Sequence, residues 1–152
     1  MRIAIGNDHA GFDLKNTIKD HLQELGMECK DFGAYSTKPY DDYPDIAAEV
    51  GEAVASGVYD RGILICGTGI GMSIVANKVP GARAALCNDL FCAKKSREHN
   101  NANILTIGAR IVDVELAKEI IQTWLTTEFM EGRHATRVNK YAQIEKKYND
   151  AC

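Results

Sequence analysis

Short β-rich runs alternate with stretches of helical periodicity along the chain, and this alternation constrains the fold more than any other feature of the sequence. Such an order is typical of a parallel sheet whose strands are joined by covering helices. A chain of 152 residues is long enough for one sizeable core, so a single domain over residues 1–152 is predicted. The predicted strands are 2–6, 27–31, 61–66, 82–87 and 104–108.

The segments between these predicted strands have helical periodicity. The first helix is expected to end at Gly26, and Pro44 suits the first turn of the second helix. The clearest amphipathic stripe lies within 117–125. A last helix follows Gly132, and its predicted apolar side consists of Val138, Tyr141, Ile144 and Tyr148.

These elements predict a three-layer α/β/α sandwich of Rossmann-like type, with a five-stranded parallel sheet of order 2-1-3-4-5 and an extra C-terminal helix. In this order the sheet changes its direction of growth between strands 1 and 3. Ligands bind at such a switch point, beyond the carboxyl ends of the strands. The loops after strands 1 and 3 are therefore expected to form the site.

Charge, hydropathy and cysteine usage exclude several classes of protein. A net charge of −3 argues against nucleic acid as the main partner. The apolar runs are far too short to cross a bilayer, and residues 1–5 resemble a strand rather than a signal peptide, so a cytoplasmic protein without a membrane partner is expected. Five widely spaced cysteines without a C-x-x-C motif argue against a disulfide framework, and no metal site is expected.

The loop after strand 3 carries the most reactive residue types. Cys66 is followed by glycines at 67, 69 and 71, which lead into a helix predicted at 70–78. Glycines let the backbone approach a ligand closely and the first N–H groups of the helix then face it, so an oxyanion or phosphate is the natural ligand. The alternative is that Cys66 is a small buried residue at a tight turn, which is the usual role of an isolated cysteine. The glycine run and the switch point make the two interpretations comparable.

Two known motifs do not fit this loop. A dinucleotide fingerprint requires G-x-G-x-x-G after the first strand, whereas this chain has G-x-G-x-G after the third. A cysteine phosphatase requires C-x5-R, and the chain has Met72 where the arginine would stand. Neither a nucleotide cofactor nor phosphatase chemistry is therefore indicated.

Two further polar segments are candidate parts of a site: one follows strand 1 and the other precedes strand 5. Asp8 and His9 follow strand 1, where they either transfer protons and bind a polyhydroxylated ligand or form an Asx-type turn. The segment 99–103 lies between helix 4 and strand 5, and so at the opposite edge of the sheet from Cys66. It is either a structural turn or part of a neighbouring subunit's site.

Basic residues near the C-terminus offer a site for an anion. Arg133 and Arg137 share one face at the start of the last helix, with His134 beside Arg133. They form either a phosphate clamp or an ordinary solvated face. Arg110, just after strand 5, is a further candidate phosphate ligand.

Several segments, in order along the chain, resemble one enzyme family. Gly-Asn-Asp-His-Ala-Gly at 6–11, Asp-Tyr-Pro-Asp at 42–45 and Ile-Cys-Gly-Thr-Gly-Ile-Gly-Met-Ser at 65–73 are similar to segments of the type-B ribose-5-phosphate isomerases. The resemblance continues through 96–103 and 132–138, and the cysteine–glycine loop is its most specific part. The wider family also includes galactose-6-phosphate isomerase subunits and enzymes that accept allose 6-phosphate.

The resemblance implies an aldose–ketose isomerase that interconverts D-ribose 5-phosphate and D-ribulose 5-phosphate through an enediolate. Cys66 resembles the base that moves a proton between C1 and C2, and Thr68 the group that aids proton transfer between the oxygens. His99, with Asp8, resembles the ring-opening acid/base. The implied substrate contacts are the backbone of Gly67, Gly69, Ile70 and Gly71, the sugar ligands His9, Tyr43 and Asn100, and the phosphate ligands Arg110, Arg133, His134 and Arg137.

The resemblance also implies partners and leaves alternatives open. The family works as homodimers or homotetramers with shared active sites and without a cofactor, which agrees with the placement of His99. The alternatives are an isomerase of a hexose 6-phosphate, a cysteine nucleophile that forms a covalent intermediate, and a non-catalytic sugar-phosphate sensor. Asn7 stands where relatives carry a small residue, but the chemistry-bearing positions are present, which argues against a non-catalytic subunit.

Overall fold

The computed structural model describes residues 1–38 and 42–149, in which a five-stranded parallel sheet lies between two layers of helices. The strands are β1 (Arg2–Asn7), β2 (Glu28–Asp31), β3 (Arg61–Cys66), β4 (Ala84–Leu86) and β5 (Ile104–Gly108). The helices are α1 (Phe12–Glu24), α2 (Tyr43–Ala55), α3 (Ile70–Ala76), α4 (Leu90–Asn100), α5 (Val114–Thr126) and α6 (Arg133–Asn149). The predicted α/β/α sandwich with an extra C-terminal helix is confirmed.

The strand order is 2-1-3-5-4, so the predicted order 2-1-3-4-5 is wrong at one edge. β5 lies beside β3, and 62–66 pairs in parallel with 104–108. Burial explains the exchange, because all five residues of β5 are buried whereas the three residues of β4 are partly exposed. A fully buried strand suits the interior of a parallel sheet, and a short strand suits its edge. The switch point between β1 and β3 is as predicted.

Right-handed crossovers divide the helices between the two faces of the sheet. α2 and α3 connect strands in the direction from the β2 edge of the sheet to the β4 edge, and they pack together on one face. α4 precedes β5, which lies back toward the centre, and it packs with α5 on the opposite face, where α1 also lies. Each face has its own core, with Val50, Leu64 and Met72 in one and Ile18, Ile63 and Trp124 in the other.

Helix boundaries follow from local side-chain chemistry. Asp89 caps α4 by accepting a hydrogen bond from the Cys92 backbone at 2.7 Å. Asp113 caps α5 in the same way. Pro44 lies in the first turn of α2, and Gly26, with φ of +71°, follows the end of α1, as predicted.

The last helix differs from its prediction. Ile144 and Tyr148 belong to its predicted apolar side, but they are 55% and 63% exposed. α6 packs against α4, which is itself part of a covering layer, so this side of α6 does not reach the sheet. Within α6, His134 is the buried residue. The apolar side of α6 is therefore open at Ile144 and Tyr148 in a single chain, whereas Val138 and Tyr141 are half-buried.

The side chain of Asn77 closes part of the outer edge of β4. Its Nδ2 atom donates a hydrogen bond to the Ala84 carbonyl at 2.9 Å, and its Oδ1 atom accepts one from the Ala84 backbone N–H at 2.8 Å. The side-chain amide thus pairs with main-chain groups that face away from β5.

Candidate active site

Cys66 ends β3 at the carboxyl edge of the sheet and is 5% exposed. Its Sγ atom lies 3.1 Å from the backbone nitrogen of Gly69, so the N–H of that residue points at the sulfur. A donor in this position stabilises negative charge on the sulfur. Cys66 is therefore held in a setting that suits a proton acceptor rather than only a core residue.

Two glycines shape the loop that follows Cys66. Gly69 has φ of +79°, and a Cβ there would lie 2.9 Å from the carbonyl carbon of Ile107. A Cβ at Gly71 would lie 2.7 Å from the ring of Tyr43. The loop therefore packs directly on β5 on one side and beneath the Tyr43 ring on the other.

A cavity of about 400 Å³ lies over this loop. This volume is in the range of small-ligand sites. Its lining residues come from the loops after β1, β3 and β5 and from the start of α2; they are Asp8, Tyr43, Cys66, Gly67, Thr68, Ile70, Gly71 and Arg110. The predicted switch point therefore holds a cavity, and eight of the predicted site residues meet there.

Arg110 reaches this cavity because β5 neighbours β3. The Ala109 backbone donates a hydrogen bond to the Cys66 carbonyl at 2.8 Å, and the Arg110 backbone donates one to the Gly67 carbonyl at 3.1 Å. The guanidinium carbon of Arg110 lies 3.6 Å from where a Cβ of Gly67 would be. A permanent positive charge thus lies beside the glycine loop.

The loop after β1 contributes Asp8 and holds His9 nearby. Asp8 Oδ1 accepts hydrogen bonds from the backbone of Ala10 at 2.9 Å and of Gly11 at 3.1 Å, which is the predicted Asx-type turn. This turn starts a one-turn 3-10 helix at His9–Gly11. Asp8 also lines the cavity, so its turn and site roles coexist, whereas His9 is not among the lining residues within the described part of the chain.

A buried ion pair supports the loop after β1. Lys15 is 1% exposed, and its ammonium group donates to Asp31 Oδ1 at 2.9 Å and to the Ala34 carbonyl at 2.7 Å. Residues 33–34 in turn exchange two backbone hydrogen bonds of 2.6 Å with Asn7, which precedes Asp8. Hydrogen bonds from both lysines, Lys15 and Lys19, hold the pKa of Asp31 below its usual value against the opposing effect of burial.

This ion pair was not predicted from the sequence. Its signal was available, because Lys15 lies on the helical face of Ile18 and Leu22 and not on the solvent side of α1. A lysine on an apolar face indicates a buried partner. Asn7 is fully buried and donates from Nδ2 to the Asp8 carbonyl at 2.6 Å.

The remaining predicted site residues form a second group where the end of α4 meets the start of α6. The rings of His99 and His134 stack with centroids 4.3 Å apart and an angle of 1° between their planes. Asn100 Nδ2 donates to the Tyr141 hydroxyl at 3.0 Å. Arg133 and Arg137 lie in the first turns of α6. We call His99, Asn100, Arg133, His134 and Arg137 the α4–α6 group.

The charges around His134 favour its neutral form. Burial lowers its pKa, and the neighbouring His99, Arg133 and Arg137 lower it further, against an opposing effect of Glu98. Glu98 is itself paired with Lys95 at 2.7 Å and with Lys94 at 3.7 Å.

The cavity lies at the carboxyl ends of the strands, whereas the α4–α6 group lies at their amino ends. Cys66 pairs with Gly108 at the end of β5, whereas α4 ends just before β5 starts at Ile104. The four steps along β5 span about 13 Å. Within one chain, the structure therefore brings together Cys66, Thr68, Asp8 and Arg110, but it does not bring His99 or Asn100 to them.

Replacing Gly69 by alanine is expected to lower the free energy of unfolding by about 2–4 kcal/mol, since it combines a left-handed backbone with overlap against β5. Chemical denaturation measures this change. Gly57→Ala is the matched control, because Gly57 has φ of +77° but no atom within 4 Å of the added Cβ. It is expected to cost only about 1 kcal/mol. Equal losses in the two variants would contradict the proposed packing of the loop on β5.

The described residues, 1–38 and 42–149, lack a metal-binding cluster and a membrane-spanning helix. They contain no cluster of three or more His, Cys, Asp or Glu side chains arranged to bind a metal ion. None of their helices has both the length and the apolar character required to cross a membrane.

Comparison with known proteins gives consistent matches. Residues 3–141 match the family described as Ribose/Galactose Isomerase. The chain is 48% identical to ribose-5-phosphate isomerase B of Escherichia coli, over 97% of this chain and 99% of that protein. It is 49% identical to D-erythrulose-4-phosphate isomerase of Pectobacterium atrosepticum, over 95% of each. The structure of Clostridium thermocellum ribose-5-phosphate isomerase B superposes with a TM-score of 0.95 at 56% identity, over 97% of this chain and 99% of the other.

Proposed function

The chain belongs to the ribose/galactose isomerase family and is a sugar-phosphate aldose–ketose isomerase, and we propose that its substrates are D-ribose 5-phosphate and D-ribulose 5-phosphate. The observation that carries this proposal is the cavity in which a cysteine thiol, a glycine loop and an arginine meet. Isomerisation requires a base beside C2, donors for a developing oxyanion and an anchor for the phosphate. The cavity offers one group for each requirement.

Cys66 is the proposed base. Its thiolate removes the proton from C2 of the open-chain aldose, the electron pair forms the C1–C2 double bond, and the C1 oxygen becomes an oxyanion. The Thr68 hydroxyl then relays the proton of O2 to O1. Return of the proton from the Cys66 thiol to C1 gives the ketose. A base of this kind contributes a rate factor of about 10²–10⁴.

The backbone of the glycine loop is the proposed oxyanion site. The Gly69 N–H already faces Cys66 Sγ, and the Ile70 N–H faces Thr68 Oγ1 at 3.3 Å. With Gly67 and Gly71, these residues are proposed to direct N–H groups at the enediolate. Each such donor contributes about 3–4 kcal/mol to transition-state stabilisation.

A second copy of the chain is proposed to complete the site with its α4–α6 group. This proposal is supported by the distance between that group and the cavity within one chain. It is also supported by exposed large apolar side chains. Ile70, which lines the cavity, is 51% exposed, and Ile74 in the same helix and Phe91 at the start of α4 are 57% and 70% exposed. A surface of this kind is covered in an oligomer. The proposed assembly is a homodimer, or a homotetramer built from two such dimers.

Ring opening is the proposed role of His99 from the partner subunit together with Asp8. Ribose 5-phosphate is mostly a closed furanose, so one group must take the proton of the C1 hydroxyl while another protonates the ring oxygen as the C1–O bond breaks. Tyr43, His9 and Asn100 are the proposed contacts of the sugar hydroxyls. Arg110 with Arg133 and Arg137 of the partner subunit are the proposed phosphate ligands.

One relative supports a second candidate substrate. D-erythrulose-4-phosphate isomerase is as similar to this chain as the ribose-5-phosphate isomerase is, at 49% and 48% identity. A four-carbon sugar phosphate is therefore the second proposed substrate.

The proposed function is tested by following conversion of ribose 5-phosphate to ribulose 5-phosphate in the presence of EDTA. We expect turnover that EDTA does not reduce. Erythrulose 4-phosphate, allose 6-phosphate and galactose 6-phosphate are compared at equal concentrations. A higher kcat/KM for one of these than for ribose 5-phosphate would overturn the five-carbon assignment. Loss of turnover in EDTA would overturn the metal-free mechanism.

A further inference from the structure

The face-to-face contact between His99 and His134 joins two residues for which the resemblance implies different tasks. His99 lies in the last turn of α4, and His134 is the second residue of α6. Their rings are parallel within 1°, with centroids 4.3 Å apart. His134 is 6% exposed, whereas His99 is half-buried. His134 is therefore a buried ring that supports a more accessible one.

A stack of this kind fixes a ring without occupying its reactive atoms. The two nitrogens of an imidazole lie in the plane of the ring and form hydrogen bonds at its edge. Contact through the face restricts rotation of the His99 ring and leaves its edge free. An acid/base group needs this combination, because proton transfer requires a nitrogen at a defined distance and direction from the substrate.

The two rings also differ in their electrostatic surroundings. His134 is near the N-terminus of α6, where the helix dipole disfavours a positive charge, and His99 is near the C-terminus of α4, where it favours one. Facing His134 are His99 and Glu98 from α4 and Arg133 and Arg137 from α6. Two stacked imidazoliums beside two guanidiniums would repel each other, and the lowered pKa of His134 keeps that ring neutral. A neutral His134 adds little to a phosphate site that already has two arginines.

We propose that His134 is a positioning residue for His99 and not a phosphate ligand: its ring holds the His99 imidazole so that the nitrogens of His99 face the sugar in the partner subunit's cavity. This inference rests on the proposed ring-opening role of His99. It assigns His134 an effect on ring opening that is separate from phosphate binding.

Two substitutions distinguish the roles. His134→Phe keeps a flat ring but has no hydrogen-bonding atom, and His134→Gln keeps hydrogen bonding but has no ring. If His134 positions His99, the Phe variant retains kcat/KM for ribose 5-phosphate within about 3-fold, whereas the Gln variant loses about 10- to 100-fold, as expected for a misplaced acid/base group. A phosphate ligand would give the reverse order, and that order would overturn the proposal.

The direction of reaction provides a second readout. Ribulose 5-phosphate cannot close a furanose ring, because its phosphate occupies the oxygen on C5. Its conversion therefore reaches the C2 chemistry without ring opening, and the Gln variant is expected to keep initial rates from the ketose within about 3-fold. The inhibition constant of inorganic phosphate is expected to stay within about 2-fold of wild type in both variants, whereas Arg137→Ala weakens it at least about 10-fold. Equal loss in both directions with weakened phosphate inhibition would overturn the proposal.

A measurement that needs no turnover separates this inference from the proposed function. The ring current of His134 should shift the Hε1 resonance of His99 in the NMR spectrum of the wild-type protein. We expect this shift to persist in His134→Phe and to disappear in His134→Gln, with circular dichroism confirming that both variants fold. Wild-type protein that converts neither sugar would contradict the proposed function, whereas an unchanged His99 resonance in His134→Gln would contradict the stack.

Discussion

Replacing Cys66 by alanine is expected to lower kcat by about 10²–10⁴-fold for ribose 5-phosphate, since the change removes the proposed base and keeps the rest of the cavity. The sulfur is a small part of the core, so the variant should fold, with a loss of about 1–2 kcal/mol in unfolding free energy. Steady-state kinetics and chemical denaturation measure the two effects separately. The KM is expected to change little, because the phosphate and hydroxyl contacts remain.

Cys92→Ala is the matched control for this prediction. Cys92 is an exposed cysteine in the first turn of α4, and it does not line the cavity. Its removal is expected to leave kcat within about 2-fold of wild type. Full activity of Cys66→Ala would exclude Cys66 as the base. Trapping of a covalent adduct between Cys66 and a substrate analogue would instead favour nucleophilic catalysis.

Mixing two inactive variants is expected to restore about a quarter of wild-type activity if two copies of the chain share each site. One variant is Cys66→Ala, which damages the cavity, and the other is His99→Asn, which damages the α4–α6 group. Random reassociation after joint unfolding and refolding places half of the chains in mixed dimers. Each mixed dimer contains one site with both substitutions and one intact site. Activity is measured before and after refolding at equal total protein.

The control mixture combines Cys66→Ala with Asp8→Asn. Both residues line the same cavity of one chain, so no mixed dimer has an intact site and activity should stay near that of the separate variants. Recovery in the first mixture alone would support a shared site. No recovery in the first mixture would indicate that His99 acts within its own chain or takes no part in the reaction.

The sequence predicted the layers of the fold and the position of the cavity, because both follow from the order of elements. The loops after β1 and β3 had to meet at the switch point, and Cys66 and Asp8 do line one cavity. The separation of His99 from Cys66 was also predictable, since α4 ends where β5 starts. Topology was sufficient for these inferences and needed no side-chain detail.

The strand order could not be predicted in the same way. The sequence places β4 before β5, and only the difference between a fully buried strand and a partly exposed one reverses their positions in the sheet. The consequence for the site is direct, because Arg110 would lie further from Cys66 if β4 were beside β3. Its predicted part in the site thus depended on a strand order that the sequence analysis did not predict.

Two other features depend on tertiary packing, so the sequence pattern does not identify the groups involved in them. The pairing of Lys15 with Asp31 joins α1 to the end of β2, 16 residues apart, and a helical pattern alone gives no partner for the lysine. The exposure of Ile144 and Tyr148 reflects what α6 packs against and not its own periodicity, which is regular. Amphipathic patterns predict that a face will be covered, but they do not say by which chain.

The amide of Asn77 has a consequence for how copies of this chain can associate. An open sheet edge is a template on which another polypeptide can add a strand, and growth by this route has no natural end. At Ala84 that template is occupied from within the same chain. Strand addition is therefore blocked at Ala84, and association there uses contacts between side-chain surfaces. Where such contacts are isologous they close after a fixed number of copies, so the asparagine that completes this part of the sheet edge also removes one route to a fibre.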